Sequence, residues 1–96
     1  MKVSELEQFG QPISENMADY LKRHTSANDR ANVAINTSMS LSTIRDVLDR
    51  KNKLTEANAV GIKELVKIAA RNIAESMEES KKALKYFEKQ LELRTA

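Results

Sequence analysis

RANVAINTSMSLSTIRDVLDRKNKL, residues 30–54, decides the fold. Two short amphipathic patterns flank Thr37, Ser38, Met39 and Ser40. In the first, Ala31, Val33, Ala34 and Thr37 share an inward face whose small side chains let another helix come close. In the second, Leu41, Ile44, Val47 and Leu48 recur at spacings of three and four, the mark of a helix with one buried side. Ser26 and Ser40 stand where N-caps are needed, and Asp29 suits the first turn that follows Ser26. The expectation is a helix opening near Ala27, a turn at residues 38–40, and a second helix opening after Ser40. That second helix should run out around DRKN, with Asn52 as its terminal residue and the nearby cations suited to the negative end of its dipole.

Upstream, SELE at residues 4–7 reads as a capping box, with Val3, Leu6 and Phe9 at helical spacing around it. Gly10 can supply a left-handed residue that ends a short helix. Pro12 fits a first helical position, and Ile13, Met17, Tyr20 and Leu21 form one stripe, so a helix from about Ile13 to His24 is expected. TSAN at residues 25–28 is a break rich in capping residues.

Downstream, Thr55 can cap a last segment that contains one Gly and no Pro from Glu56 onward. Ile62, Leu65, Val66, Ala69, Ile73, Met77, Leu84, Phe87 and Leu91 trace an apolar stripe interrupted by Ser80. Its later steps alternate four and three, the rhythm of a coiled coil. Such a pattern is too long to serve only a small core. Either it bends back near EESKK or its distal half packs on a second copy, and the second copy is the preferred expectation. Ile73, Met77, Leu84, Phe87 and Leu91 would then form the dimer interface.

The chain has 96 residues, 41% of them apolar, with two Gly, one Pro and four aromatics. This composition points to a folded, all-α protein: a small helical bundle with a long C-terminal helix. The organisation expected is a globular part at residues 1–72 and a helical extension at residues 73–96. With no cysteine, disulfides, thiol chemistry and Cys-ligated zinc are excluded. The opening residues carry no apolar core of a secretory signal, and no stretch has the roughly 20 apolar residues of a membrane span. A soluble, cytoplasmic protein without membrane contact is expected.

Net charge is +2. Its distribution is uneven. Lys2 against Glu5, Glu7, Glu15 and Asp19 leaves residues 1–19 at −3. Seven Lys and Arg against Asp29, Asp46 and Asp49 put residues 20–55 at +4, and residues 56–96 stand at +1. The positive excess coincides with the opening stretch. It is either a solvated basic face or a surface for a polyanion.

With Arg30 as the first place of a twenty-residue frame, Ala34 falls where two helices cross. Met39 anchors the turn, Ser40 is the cap, and Ile44 and Val47 lie on the buried face of the second helix. VAINTSMSLSTIRDVL therefore resembles the helix-turn-helix of the lambda-repressor/Cro-like DNA-binding domains, and KLTEANAVGIKELVKIA resembles the helix that closes their core. The resemblance covers roughly residues 12–70. It departs at Ser38, where the family usually has Gly for a left-handed turn; a side chain there costs about 1 kcal/mol or more.

The resemblance implies that the second helix of the pair enters the major groove. Its outward side chains would meet base edges: Leu41, Ser42, Thr43, Arg45, Asp46 and Asp49. Arg45 is suited to a bidentate contact with guanine, and Leu41 to a thymine methyl. Phosphates would be held by Lys22, Arg23, Arg30, Ser40, Arg50, Lys51 and Lys53. Asp46 and Asp49 oppose a polyanion unless they accept from cytosine N4 or are braced at i,i+4, Asp46 by Arg50 and Asp49 by Arg45. The function expected is sequence-specific binding of double-stranded DNA by a dimer, as a transcriptional repressor that occludes a promoter. The alternative is a helical interaction module, such as an antitoxin or adaptor, that keeps the helix-turn-helix as scaffold.

Other chemistry finds little support. His24 is the only histidine, so a histidine metal site or catalytic triad within one chain lacks partners. No Gly-rich phosphate loop occurs. Glu78 and Glu79 are adjacent and point to different sides of a helix. No enzyme activity, cofactor, metal or small-molecule ligand is expected.

Overall fold

The computed structural model describes residues 4–95, and side chains as far as residue 93. It is all-helical among these residues. A 3-10 turn at Glu5–Glu7 is followed by α1 (Glu15–His24), α2 (Ala27–Thr37), α3 (Leu41–Leu48) and α4 (Glu56–Thr95).

Serines and threonines set most of the boundaries. Ser14 caps α1, its hydroxyl accepting from Met17 N at 3.1 Å. The Glu5 carboxylate holds that cap in turn, taking the Ser14 N–H at 2.8 Å and its O–H at 2.9 Å. Ser26 and Asp29 form a reciprocal capping box at the start of α2. Ser40 accepts from Thr43 N at 3.0 Å to open α3. Thr55 and Asn58 exchange the same pair of bonds at the head of α4, at 3.1 and 2.8 Å. Asn58 is buried and spends its remaining amide on Lys53 O.

Both α2 and α3 end in a Schellman motif. At the end of α2, Ser38 is left-handed (φ 56°), Met39 N donates to Ala34 O and Ser38 N to Ile35 O. At the end of α3, Arg50 is left-handed (φ 59°), Lys51 N donates to Asp46 O and Arg50 N to Val47 O. Three expectations are corrected here. α3 stops at Leu48 and reverses at Arg50, so Asn52 is not its terminal residue. Pro12 and Ile13 precede α1, because Ser14 takes the cap and Ile13 turns inward as an anchor. The SELE box is also reduced to one 3-10 turn. Ser4 caps Leu6 N at 3.2 Å, and the Glu7 carboxylate goes to Lys63 at 2.7 Å instead of back to the cap. Val3 lies outside the described residues.

The core gathers Ile13, Leu21, Val33, Ile44, Val47, Leu48, Leu54, Ile62 and Leu65, each at most 2% exposed. Burial of such a side chain is worth about 1.5–3 kcal/mol. α4 is the common wall, and α1, α2 and α3 all pack on its first half. Gly61 faces the turn between α2 and α3. A Cβ there would run into the thioether of Met39, so glycine lets that turn rest directly on α4. Residues 10–11 are laced to the loop before α4 by Gly10 N to Leu54 O and Leu54 N to Gln11 O.

Past Asn72 the packing stops. Every described residue from 73 to 93 is exposed. α4 nonetheless continues for 40 residues. At 1.5 Å per residue that is about 60 Å, and the long dimension of the chain is 63 Å. The distal half is therefore an arm, and it does not bend back at EESKK. No helix among the described residues is long and apolar enough to cross a membrane.

Candidate nucleic-acid interface

α2 and α3 are joined by only three residues, 38–40. The left-handed Ser38 reverses the chain, Met39 drops onto Gly61, and Ser40 starts the next helix. α3 is pinned by Ile44, Val47 and Leu48, which are almost fully buried. Its opposite face must then point outward. Leu41 is 39% exposed, Ser42 and Arg45 are exposed, and Thr43 and Asp46 are half-buried.

The side chains singled out in the sequence divide into two groups. The side chains of Leu41, Ser42, Arg45, Asp46, Lys51 and Lys53 form no hydrogen bond or ion pair among the described residues. The others are committed within the fold. Ser40 and Thr43 share a hydroxyl–hydroxyl contact of 2.7 Å at the α3 cap. Lys22 pairs with Asp49 at 2.9 Å. Arg23 pairs with Asp19 and lies over the Tyr20 ring at 5.8 Å. Arg30 donates to Thr25 O at 3.0 Å, and its Nε is buried without a partner, so it serves the α1–α2 junction. Arg50 reaches across to α1, with Nε to Ile13 O at 2.8 Å and Nη1 to Glu15 at 3.4 Å.

The bracing expected within α3 is thus replaced by bonds between helices. Arg50 turns to Ile13 and Glu15 and leaves Asp46. Lys22 of α1 holds Asp49 in place of Arg45. The cause is geometric: the left-handed turn at Arg50 carries its side chain off the α3 face that Asp46 occupies. These partners stand 27 to 37 residues apart in the chain, beyond the reach of any periodicity argument.

The electrostatics follow. The hydrogen bond from Lys22 holds the Asp49 carboxyl below its ordinary value; burial opposes this, and the charges of Lys22, Lys51 and Arg45 add to it. Lys22 is thus the bonded partner of Asp49, and the charges of Lys51 and Arg45 act on it from further off. Asp29 is also held low, first by the Ser26 N–H of the capping box and then, against burial, by the Asn72 amide. Asn72 bonds His24 O at 2.9 Å and Asp29 at 3.1 Å, fastening α4 to the α1–α2 corner. Nothing in the sequence pattern marks that role. Among the described residues no group of three His, Cys, Asp or Glu is placed to hold a metal ion.

No family model, curated protein or solved structure matches the chain.

Proposed function

We propose that the chain binds double-stranded DNA sequence-specifically as a dimer and regulates transcription by occluding a promoter. The observation that carries this is the pairing of α2 and α3 through a three-residue, left-handed turn, with the first turns of α3 facing solvent beside unpaired cations. A helix held on one side by Ile44, Val47 and Leu48 presents Leu41, Ser42 and Arg45 on the other, in the manner a major groove accepts. Arg45 reads guanine. Ser42 meets a base edge or phosphate, and Leu41 packs on a thymine methyl. Lys51 and Lys53 hold phosphates and set the register. Lys22 pairs with Asp49 and offsets the charge of that carboxylate beside the backbone. The proposal contains no catalytic step.

The test is selection from a random duplex pool at about 0.1 M salt, where exposed charges are substantially screened. An enriched site with two inverted halves is the expected result. Retention without enrichment leaves a non-specific basic surface, and no retention even at lower salt overturns the proposal.

A second reading, a helical module for another protein, draws on the exposed stripe of α4 and the half-buried Asp46 on the outer face of α3. It predicts that Arg45→Ala with Lys51→Ala leaves the partner bound.

A further inference from the structure

The stripe on α4 does not begin at the arm. Val66, Ala70, Ile73, Met77, Ser80, Leu84, Phe87 and Leu91 follow one another at steps of four and three, a single unbroken heptad seam. Its first members lie on the globular part. There, Val66, Ala70 and Ile73 join Met17 and Tyr20 of α1 to line an open apolar cleft of about 340 Å³. Its later members lie on the arm, where Met77, Leu84, Phe87 and Leu91 are 58–62% exposed. One end of the molecule therefore carries apolar knobs, and the other an apolar hollow, on the same seam.

We propose that a second copy of this chain docks antiparallel along this seam, so that Phe87 and Leu91 of each copy fill the α1–α4 cleft of the other. This rests on the dimer of the proposed function and specifies its orientation and register. Antiparallel pairing about the midpoint between residues 78 and 79 matches every seam residue with another. Val66 meets Leu91, Ala70 meets Phe87, Ile73 meets Leu84, and Met77 meets Ser80. The two small residues each face a large one, as close packing demands.

In-register parallel pairing fails on the same residues. It sets Ala70 against Ala70 and Ser80 against Ser80, leaving two thin layers beside a Phe87–Phe87 layer. The antiparallel register sets Lys67 and Glu88, which flank the seam, opposite one another twice across the twofold axis. The cleft is then covered by the arm, and the globular parts lie at opposite ends of the coil.

The chain has no cysteine, so introduced thiols report cleanly. Ile73→Cys and Leu84→Cys lie outside the buried core and leave the monomer folded. In the antiparallel register residue 73 meets residue 84, while two copies of residue 73 stand about 16 Å apart along the axis. Under oxidation, a mixture of the two variants is expected to give a covalent heterodimer, and each variant alone to stay uncrosslinked. Self-linking by either single variant overturns the antiparallel assignment and leaves the dimer standing. A dimeric wild-type chain whose variant mixture fails to link does the same. A wild-type chain that light scattering finds monomeric at every concentration removes the dimer itself, and this inference with it.

Discussion

Residues 56–72 and residues 73–93 belong to one helix, and they differ in almost everything but secondary structure. The first half buries Ala59, Ile62, Leu65 and Ala69 against three other helices. The second half buries nothing and still carries Ile73, Met77, Leu84, Phe87 and Leu91 on one side. Helical propensity does not explain the second half. An isolated helix of about 20 residues is marginal in water, and its stability comes from the packing of its apolar face. The difference teaches that the fold of one chain is complete only up to Asn72. Beyond that, the apolar side of the helix has nothing in the described residues to pack on, and this is the side the proposed dimer would cover.

The largest effect should come from the arm. Leu84→Glu with Phe87→Glu withdraws four large apolar side chains from a symmetric dimer, about 6–12 kcal/mol of burial at ~1.5–3 each. Light scattering should show monomers, while circular dichroism keeps the signal of the globular part. The melting temperature of the wild type should rise with protein concentration and that of the variant should not. An unchanged dimer would break the comparison, because the arm would then be idle.

Leu65→Ala tests the other half of α4. Leu65 is fully buried, and its truncation should cost about 2–5 kcal/mol, a large share of what a small domain possesses. Urea denaturation would measure it. The loss should persist in the Leu84→Glu, Phe87→Glu background, since it belongs to the monomer.

These halves were not equally legible in the sequence. The globular part was readable where a single residue carries the local physics. Ser26, Ser40 and Thr55 mark helix starts because a hydroxyl there satisfies an orphan N–H, and each stands where the helix begins. The first half of the stripe on α4 was readable because burial imposes its period. What escaped was everything that joins distant positions. Glu5 on Ser14, Arg50 on Ile13, Lys22 on Asp49 and Asn72 on His24 leave no periodic trace, since each depends on how two helices cross. The end of α3 escaped for a different reason: arginine is a poor marker of a left-handed residue, whereas asparagine beside it is a good one. Within the candidate interface, outward positions on α3 followed from the buried ones. Which cations were free did not, because pairing is decided in space.

Arg45→Ala should then weaken binding at the selected DNA site by about 1–3 kcal/mol and relax preference at one base pair. Lys51→Ala should weaken all sequences alike and reduce the salt slope by about one. Titration of both variants at two or more salt concentrations separates the roles. Arg50→Ala should instead appear as lost stability, because its guanidinium serves Ile13 and Glu15. Equal, purely electrostatic losses from Arg45 and Lys51 would reduce α3 to a general anion surface.

The smallest effect distinguishes the two left-handed residues. Relief of the left-handed strain at Ser38 is worth about 1–2 kcal/mol, against ~0.4–1 lost to the freer unfolded chain, so Ser38→Gly should gain roughly 0.5–1 kcal/mol. Its side chain is exposed and makes no bond among the described residues, so nothing offsets the gain. Arg50→Gly relieves the same strain and removes the side chain that ties α3 to α1. That variant should gain nothing or lose stability. Paired denaturation curves decide the matter. If both glycines stabilise equally, the Arg50 bonds to Ile13 and Glu15 contribute little, and the basic group is free to face DNA. If only Ser38→Gly does, the reversal after α2 is a tolerated strain and the reversal after α3 is a structural joint.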